Sequence, residues 1–184
     1  IHAGLLALRE NTDHMATCKD HQLELIDLVV VNLYPFQQTI EKEGVTLEEA
    51  IENIDIGGPS MLRSAAKNFR SVGVLVNPEK YETVIKELEE NKGQLSVSLK
   101  EDLACEAFEH TARYDAMIAT YLSQNLRKTN GSYPKIVAPK FEKISDLRYG
   151  ENPHQTAAFY KIIGEKGLPG VTQHHGKALS YNNI

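Results

Sequence analysis

Two short runs of β-branched and aliphatic residues, at 27–33 (DLVVVNL) and 72–76 (VGVLV), constrain this chain more than any other feature. Both runs lack the alternation of apolar and polar residues found in half-exposed strands, so each predicts a strand buried on both faces of a parallel sheet. Helical patterns lie between and after the runs. Strands that alternate with helices are typical of a layered α/β domain with a mostly parallel sheet.

The helices are predicted from capping signals and apolar spacing. Thr46 and Glu49 form a capping box, and Ser98 with Glu101 forms a second one. Pro59 follows two glycines and is expected at the first position of another helix. A short extended segment is expected at 54–56. The predicted helices cover approximately residues 13–22, 46–52, 59–68, 77–91 and 98–123.

Charge divides the chain into two parts. Up to Gln124 there are 11 Lys and Arg against 21 Asp and Glu, a balance of −10, whereas from Asn125 onward there are 9 against 4, a balance of +5. This shift suggests a boundary near residue 126, and the turn-forming residues after it read as a linker. We therefore expect a first domain at 1–127, a linker at 128–144 and the beginning of a second domain at 145–184.

Composition excludes several classes of protein. The chain is acidic overall, with a formal net charge of −5, and it has no Trp and no dense basic patch, which argues against nucleic-acid binding. No apolar run approaches the ~18 residues of a membrane span. Cys18 and Cys105 lie far apart without a CxxC motif, which favours free thiols in the cytoplasm. The chain begins at Ile1 without an initiator Met or a signal segment, so we expect it to be part of a longer protein.

One cluster of residues superficially resembles a metal site. His14, Cys18 and His21 are spaced to share one face of a helix. No fourth ligand follows at a usable spacing, and no metal site is predicted.

The loop after the first strand is a candidate ligand site. In open parallel sheets, ligands bind beyond the carboxyl ends of the strands. Asn32 and Tyr34 leave the first strand at this edge and offer an amide and a phenol to a polar ligand. The alternative is that Tyr34 and Phe36 are ordinary core aromatics.

A second candidate is the segment before the predicted helix at Pro59. Gly57 and Gly58 allow backbone N–H groups to approach an anion, and the helix dipole favours negative charge there. Asp55 would place a carboxylate beside these donors, suited to accept a proton. The alternative is a glycine hinge in which Asp55 is a local cap. Lys67 lies roughly 12 Å along the same helix, so its side chain would reach this end only in part.

The third candidate is the polar turn at 147–155. Arg148 is suited to hold a phosphate in a forked geometry, and Tyr149 to stack on or hydrogen-bond a heterocycle. The alternative is an exposed polar loop.

Several of these segments, in the same order, resemble one enzyme family. The sequence is similar to the bifunctional purine biosynthesis enzymes that join phosphoribosylaminoimidazolecarboxamide (AICAR) formyltransferase to IMP cyclohydrolase. The resemblance extends over almost the whole chain, and two of its segments are very specific, NIDIGGPSMLRSAAKN and LRYGENPHQ. The matching segments are IHAGLLALR, DLVVVNLYPF, ENIDIGGPSMLRSAAKN, LRYGENPHQ and GKALSYNNI.

This resemblance implies a methylglyoxal-synthase-like cyclohydrolase domain that closes the second purine ring with loss of water. It implies that Lys67 is the proton donor or acceptor and that Tyr34, Asp55 and Ile56 surround the reacting groups. Val31 and Asn32 would contact the substrate. Gly57 and Gly58 are also expected to bind the substrate, because they allow backbone N–H groups to approach an anion.

The second part resembles the opening of the formyltransferase domain, whose fold is similar to cytidine deaminase. Arg148 and Tyr149 would bind AICAR, and 10-formyltetrahydrofolate would supply the formyl group as co-substrate, with no tightly bound cofactor. The family's remaining site residues lie outside these 184 residues, so neither activity is expected to be complete in this chain alone. The resemblance also implies a cytoplasmic homodimer whose small-molecule partners are AICAR, formyl-AICAR and IMP.

Two other functions are compatible with part of the pattern. A non-catalytic, effector-binding regulatory module of the same methylglyoxal-synthase-like fold would account for the strands, the glycines and an anion site. It would not need Asp55, Lys67 and Tyr34 together, nor the segment LRYGENPHQ. The third possibility, methylglyoxal synthase itself, does not account for the segment LRYGENPHQ either.

Overall fold

The computed structural model describes residues 1–126, 141–162, 167, 172 and 174–183. The chain divides into two compact units, residues 1–130 and 131–184, and each is described by itself.

The first unit is built on a parallel pair of strands. Strand β1 (Leu28–Val30) pairs with β2 (Gly73–Leu75) in the register Leu28 to Gly73, Val29 to Val74 and Val30 to Leu75. Both strands lie inside the predicted runs but are shorter than those runs. All three residues of β2 are buried, as expected for a strand covered on both faces.

Helices surround this pair and confirm the α/β class predicted from the sequence. The longest helix, Val97–Leu126, packs against both β2 and the helix Gly57–Lys67. A 3₁₀ turn, Pro78–Lys80, leads into the helix Tyr81–Glu90. The helices are α1 (His2–Leu6), α2 (Thr12–Asp20), α3 (Phe36–Ile40), α4 (Leu47–Glu52), α5 (Gly57–Lys67), α6 (Tyr81–Glu90) and α7 (Val97–Leu126).

The main core lies between the strand pair, α5, α6 and α7. A second and smaller apolar cluster contains Phe36, Ala50 and Tyr114, with Tyr121 packed against it. The Phe36 ring meets the rings of Tyr114 and Tyr121 edge to face, at centroid distances of 6.3 and 5.6 Å. The buried residues of the main core are Leu5, Val29, Leu62, Ala65, Ala66, Val72, Val74, Leu75, Val76, Val84, Leu103, Ala104 and Ala107.

The predicted capping box of α4 is confirmed. The Glu49 backbone N–H donates to Thr46 Oγ1, and the Thr46 backbone N–H donates to Glu49 Oε2 at 2.9 Å. Helix α2 begins one residue before its predicted start, because the Asn11 side chain caps it by accepting from Asp13 and His14 N–H.

The second predicted capping box is wrong. Helix α7 begins at Val97, and Ser96 Oγ, rather than Ser98, accepts from the Leu99 backbone N–H. The Ser96 backbone N–H donates to the Glu87 side chain of α6 at 2.6 Å. A contact with α6 therefore fixes the start of α7. Capping rules, which consider only residues three or four positions apart, could not predict this contact.

The predicted extended segment at 54–56 and the predicted start of α5 are also wrong. The Asp55 backbone N–H donates to the hydroxyl of Tyr114 instead of to a neighbouring strand, so no strand forms there. Helix α5 begins at Gly57, which places Pro59 at its third position. Proline is tolerated in the first helical turn because its missing N–H has no partner there.

The second unit contains an antiparallel pair in the residues that the structure describes. Strand β3 (Phe141–Leu147) pairs with β4 (Ala157–Ile162), with an irregularity between Lys143 and Ser145. The predicted linker at 128–144 lies largely outside the described residues, and its last four positions belong to β3. A 3₁₀ turn, Tyr181–Asn183, follows near the end of the chain.

None of the helices in the described ranges is both long enough and apolar enough to span a membrane. Cys18 is buried and Cys105 is exposed, and neither forms a disulfide.

Candidate functional site

At the carboxyl edge of β1 and β2, Asn32 is held by hydrogen bonds at both ends of its amide. Its Nδ2 donates to the Val76 carbonyl at 3.2 Å, and its Oδ1 accepts from the Tyr81 hydroxyl at 2.9 Å. The preceding residue, Val31, continues the pairing by donating its N–H to the Leu75 carbonyl. The sequence located Asn32 at this edge, whereas Val31 was named only from the family resemblance, and the partner of Asn32 on α6 was not predicted.

Asp55 joins the loop after β1 to the start of α5. Its Oδ1 accepts from the Gly58 backbone N–H at 2.7 Å, and its Oδ2 accepts from the Tyr34 backbone N–H at 3.3 Å. Asp55 is therefore a local cap, as the alternative interpretation proposed, and it also brings the two candidate segments together. Each carboxylate oxygen can accept more than one hydrogen bond, so this capping leaves capacity for a ligand.

The two glycines at the start of α5 differ in their surroundings. A Cβ on Gly58 would lie 2.6 Å from both Asp55 Oδ2 and Leu33 Cδ2, whereas a Cβ on Gly57 would meet nothing within 4 Å. The close packing at Gly58 is what allows Asp55 to reach the helix start. The open side at Gly57 is where a ligand could approach it.

Two large side chains on the segments that Asp55 joins are exposed. Tyr34 is 57% exposed and Ile56 is 78% exposed, so the sequence alternative of a core role is wrong for Tyr34, although Phe36 is a core residue. We call Tyr34, Asp55, Ile56, Gly57 and Gly58 the Asp55 cluster. A carboxylate, the amino-terminal end of a helix and an exposed phenol are together suited to bind a polar ring and to move a proton.

Sequence reasoning missed a buried residue behind this cluster. Tyr114 of α7 is 6% exposed, and its hydroxyl accepts from the Asp55 N–H at 2.8 Å and donates to the Asn53 carbonyl at 3.4 Å. Burial raises the pKa of Tyr114, and the negative charge of Asp55 acts in the same direction. Apolar periodicity marks position 114 as buried, but it does not show which backbone its hydroxyl bonds.

Another contact missed by the sequence analysis is between His2 and Ser60. His2 Nε2 lies 2.8 Å from Ser60 Oγ and so connects α1 to the beginning of α5. Both side chains are exposed. This contact helps to hold α1 against the helix that starts at the Asp55 cluster.

The structure does not bring Lys67 to the Asp55 cluster. Lys67 is the last residue of α5, ten residues beyond Gly57, which at 1.5 Å per residue is roughly 15 Å along the helix axis. Its side chain is exposed and lines a pocket of about 350 Å³ together with Arg9, Asn11 and Arg70. The geometric difficulty noted from the sequence is therefore real.

In the second unit, Arg148 and Tyr149 are side by side as predicted. The Arg148 guanidinium carbon lies 5.2 Å from the centroid of the Tyr149 ring, in cation–π contact, and Arg148 is exposed. The Arg148 N–H donates to the Leu179 carbonyl at 2.8 Å, and the Tyr181 N–H donates to the Tyr149 carbonyl at 3.3 Å. Backbone hydrogen bonds thus join the segment 147–155 to residues 179–181.

The turn after Tyr149 is closed by its own polar groups. The Gly150 N–H donates to the Gln155 carbonyl at 2.8 Å, and the Asn152 N–H donates to Gln155 Oε1 at 3.0 Å. Gly150 is buried, and a Cβ there would lie 3.0 Å from the Gln155 Cβ. This turn fixes the backbone that carries Arg148 and Tyr149.

In the ranges that the structure describes, no group of three or more His, Cys, Asp or Glu residues is arranged to hold a metal ion. His14 Nδ1 instead accepts from the Leu8 backbone N–H at 3.1 Å, and Cys18 is buried in the unit.

Comparisons with known proteins identify both parts of the chain. A model of the family described as "AICARFT/IMPCHase bienzyme" matches residues 65–184, and one described as "MGS-like domain" matches residues 6–60. The "Bifunctional purine biosynthesis protein PurH" of Thermoanaerobacter sp. (strain X514) is 55% identical to this chain, and that of Ruminiclostridium cellulolyticum is 53% identical. Each alignment covers 100% of this chain, and the chain spans 36% of the length of each relative.

A solved structure is also similar to this chain. The structure described as "Crystal structure of ForH" is 36% identical and superposes with a TM-score of 0.58, covering 64% of this chain and 60% of its own. With a family match over more than half of its residues and an MGS-like domain in its first unit, the chain belongs to the AICARFT/IMPCHase bienzyme family.

Proposed function

We propose that the full-length protein catalyses formyl transfer from 10-formyltetrahydrofolate to AICAR and then the dehydrative ring closure of formyl-AICAR to IMP. The similarity to PurH proteins over the whole chain supports this proposal. The structural observation that carries it is the Asp55 carboxylate, which bridges the loop after β1 and the start of α5 beside the open face at Gly57.

Ring closure requires groups that move protons and tolerate developing charge. The carboxamide nitrogen forms a bond to the formamide carbon, and the formyl oxygen leaves as water after it has gained two protons, one from the attacking nitrogen and one from the formamide nitrogen. In our proposal Asp55 accepts a proton from the attacking nitrogen, and Tyr34 contacts the reacting groups. Negative charge on the formyl oxygen is favoured near the amino-terminal end of α5.

We propose that other residues of the first unit contact the substrate. We assign this role to Val31, Asn32, Ile56, Gly57 and Gly58. The role of Lys67 as proton donor or acceptor rests on the family resemblance alone, since Lys67 lies at the opposite end of α5 from Asp55. We therefore give Asp55, rather than Lys67, the proton transfer at the attacking nitrogen.

The second unit is proposed to open the formyltransferase domain. Arg148 would bind the phosphate of AICAR, and Tyr149 its ring. In this assignment residues 1–127 belong to the cyclohydrolase domain and a linker begins at residue 128. The domain with a fold similar to cytidine deaminase begins at β3 (Phe141) rather than at residue 145. We also propose that the full-length protein is a cytoplasmic homodimer that uses folate as a co-substrate and needs no tightly bound cofactor.

The first test is the substitution Asp55→Asn in the full-length protein. The amide keeps the shape of the carboxylate but is a much weaker base, and loss of a positioned base typically costs about 10²- to 10⁴-fold in rate. We expect the kcat of ring closure to fall by that amount while formyl transfer is retained.

Asp102→Asn is the matched control, because Asp102 is an exposed carboxylate near the start of α7. It should leave both rates unchanged. A wild-type rate of ring closure in Asp55→Asn would refute the role of Asp55. A wild-type protein that binds purine ribotides but converts neither substrate would instead support the regulatory-module alternative.

A further inference from the structure

We propose that Tyr114 is a positioning residue for ring closure and acts by holding the backbone of Asp55. This inference deepens the proposed function and rests on it. Tyr114 lies on α7, 59 positions after Asp55. It belongs to none of the segments that carry the family resemblance.

Two hydrogen bonds of one hydroxyl carry the proposal. The Tyr114 hydroxyl accepts from the Asp55 N–H at 2.8 Å and donates to the Asn53 carbonyl at 3.4 Å. One side chain therefore pairs two backbone groups of the short segment between α4 and α5. Because this segment forms no strand, the hydroxyl takes the place of a neighbouring strand as its partner.

The position of the hydroxyl is itself well determined. Tyr114 is 6% exposed and contacts the buried Phe36 ring edge to face at 6.3 Å. Phe36 is the first residue of α3 and follows the loop that contains Tyr34. The small cluster of Phe36, Ala50 and Tyr114 thus supports the segments on both sides of the Asp55 carboxylate.

The effect on the carboxylate is geometric. The Asp55 side chain accepts from the N–H groups of Tyr34 and Gly58, and its main chain is fixed from behind by Tyr114. If the hydroxyl is removed, the Asp55 N–H loses its partner in a partly buried place, and the segment is expected to shift to find another. A displacement of about 1 Å at a reacting group can lower a rate about 10²-fold.

The experiment uses the full-length protein with Tyr114→Phe, which removes only the hydroxyl. Tyr121→Phe is the matched control. Tyr121 lies on the same helix and contacts the same Phe36 ring, but its hydroxyl forms no hydrogen bond with any residue in the described ranges. Steady-state kinetics of ring closure and of formyl transfer are measured for wild type and both variants, together with thermal unfolding.

We expect Tyr114→Phe to lower the kcat of ring closure about 10- to 100-fold, with less than about a threefold change in KM. Formyl transfer should be unchanged, and Tyr121→Phe should resemble wild type in both reactions. An unchanged kcat in Tyr114→Phe, or an equal fall in Tyr121→Phe, would overturn the proposal. If wild type itself does not close the ring, the proposed function fails instead.

The pH profile separates positioning from direct catalysis. Burial raises the pKa of Tyr114, so its hydroxyl remains protonated across the neutral range. A positioning role predicts that log kcat against pH is lowered in Tyr114→Phe without a change of shape. A lost or displaced limb in that profile would make Tyr114 a proton-transfer residue and contradict the proposal.

A double substitution tests whether Tyr114 acts through Asp55. Once the Asp55 carboxylate has been removed, the position of its segment should have little further effect on the rate of ring closure. We expect Asp55→Asn/Tyr114→Phe to close the ring within about threefold of the rate of Asp55→Asn alone. A further tenfold or greater loss in the double variant would show that Tyr114 acts independently of Asp55.

Discussion

At the scale of single residues, the start of α5 depends on two neighbouring glycines that do different work. Gly58 must be small because Asp55 and Leu33 occupy the space where its Cβ would lie. Gly57 faces open space and belongs to the approach to the carboxylate.

We therefore expect opposite stability effects from alanine at these positions. Gly58→Ala should destabilise the protein by about 1–3 kcal/mol, typical of an added methyl group in a filled space. Gly57→Ala should be neutral or stabilising by up to about 1 kcal/mol, because alanine is a better helix former. Chemical denaturation of the two full-length variants measures the difference, and equal effects would contradict the packing described for Gly58.

Some residues of the candidate site could be predicted from the sequence, and others could not. The carboxyl edge of β1, the carboxylate at Asp55 and the pair Arg148 and Tyr149 could be located from residue types and spacing. Asn32 was expected to face a ligand, but the partners of its amide, Tyr81 and Val76, come from other elements. Tyr114 could not be found in this way, because its role depends on a contact across 59 positions.

At the scale of elements, the sequence predicted which segments are helices and strands better than where they begin. The runs at 27–33 and 72–76 contain β1 and β2, because continuous β-branched residues favour a buried strand. The cap of α4 was predicted because all of its groups lie within four residues. The start of α7 was predicted at the wrong residue because it depends on a contact with another helix. The Ser96 backbone N–H donates a hydrogen bond to the Glu87 side chain of α6.

This contact between α6 and α7 predicts a pH-dependent contribution to stability. Hydrogen bonds from Ser96 lower the pKa of Glu87 below its ordinary value of 4.5. A lowered pKa in the folded state means that the contribution is present at neutral pH and is lost as the pH falls through the folded pKa. Glu87→Gln should therefore lower the melting temperature slightly at pH 7, and the difference from wild type should vanish in acid.

Glu89→Gln on the same helix is the control, because Glu89 is exposed. It should not show this dependence on pH. A difference between Glu87→Gln and wild type that stays constant from pH 7 to pH 3 would contradict a charge-dependent bond between α6 and α7.

At the scale of the whole molecule, the candidate residues are divided between the two compact units. The Asp55 cluster and Tyr114 belong to residues 1–130, and Arg148 and Tyr149 belong to residues 131–184. From the sequence, the shift of charge near residue 126 predicts a boundary in this part of the chain, because each part has its own balance of acidic and basic residues.

Separate units predict that each proposed activity can be lost without the other. Arg148→Ala should weaken AICAR binding by about 10-fold or more, since a charge-assisted bond to a phosphate is lost, and ring closure should continue at the wild-type rate. Arg148→Lys should recover only part of the binding, because an ammonium lacks the planar two-point geometry. The measurement is the kcat/KM for AICAR in formyl transfer. An unchanged value in Arg148→Ala would mean that this arginine only shapes the turn.

The parallel pair contains only two strands in the described part of the chain, and this has a practical consequence. In the described part of the chain β1 is bonded only to β2, and Val30 is 48% exposed. The outer edge of β1 therefore has no strand partner in the described ranges, and an unpaired strand edge can hydrogen-bond another extended peptide. Anyone who prepares residues 1–184 by themselves should expect self-association that grows with protein concentration, and should find that a lysine in place of Val30 reduces it.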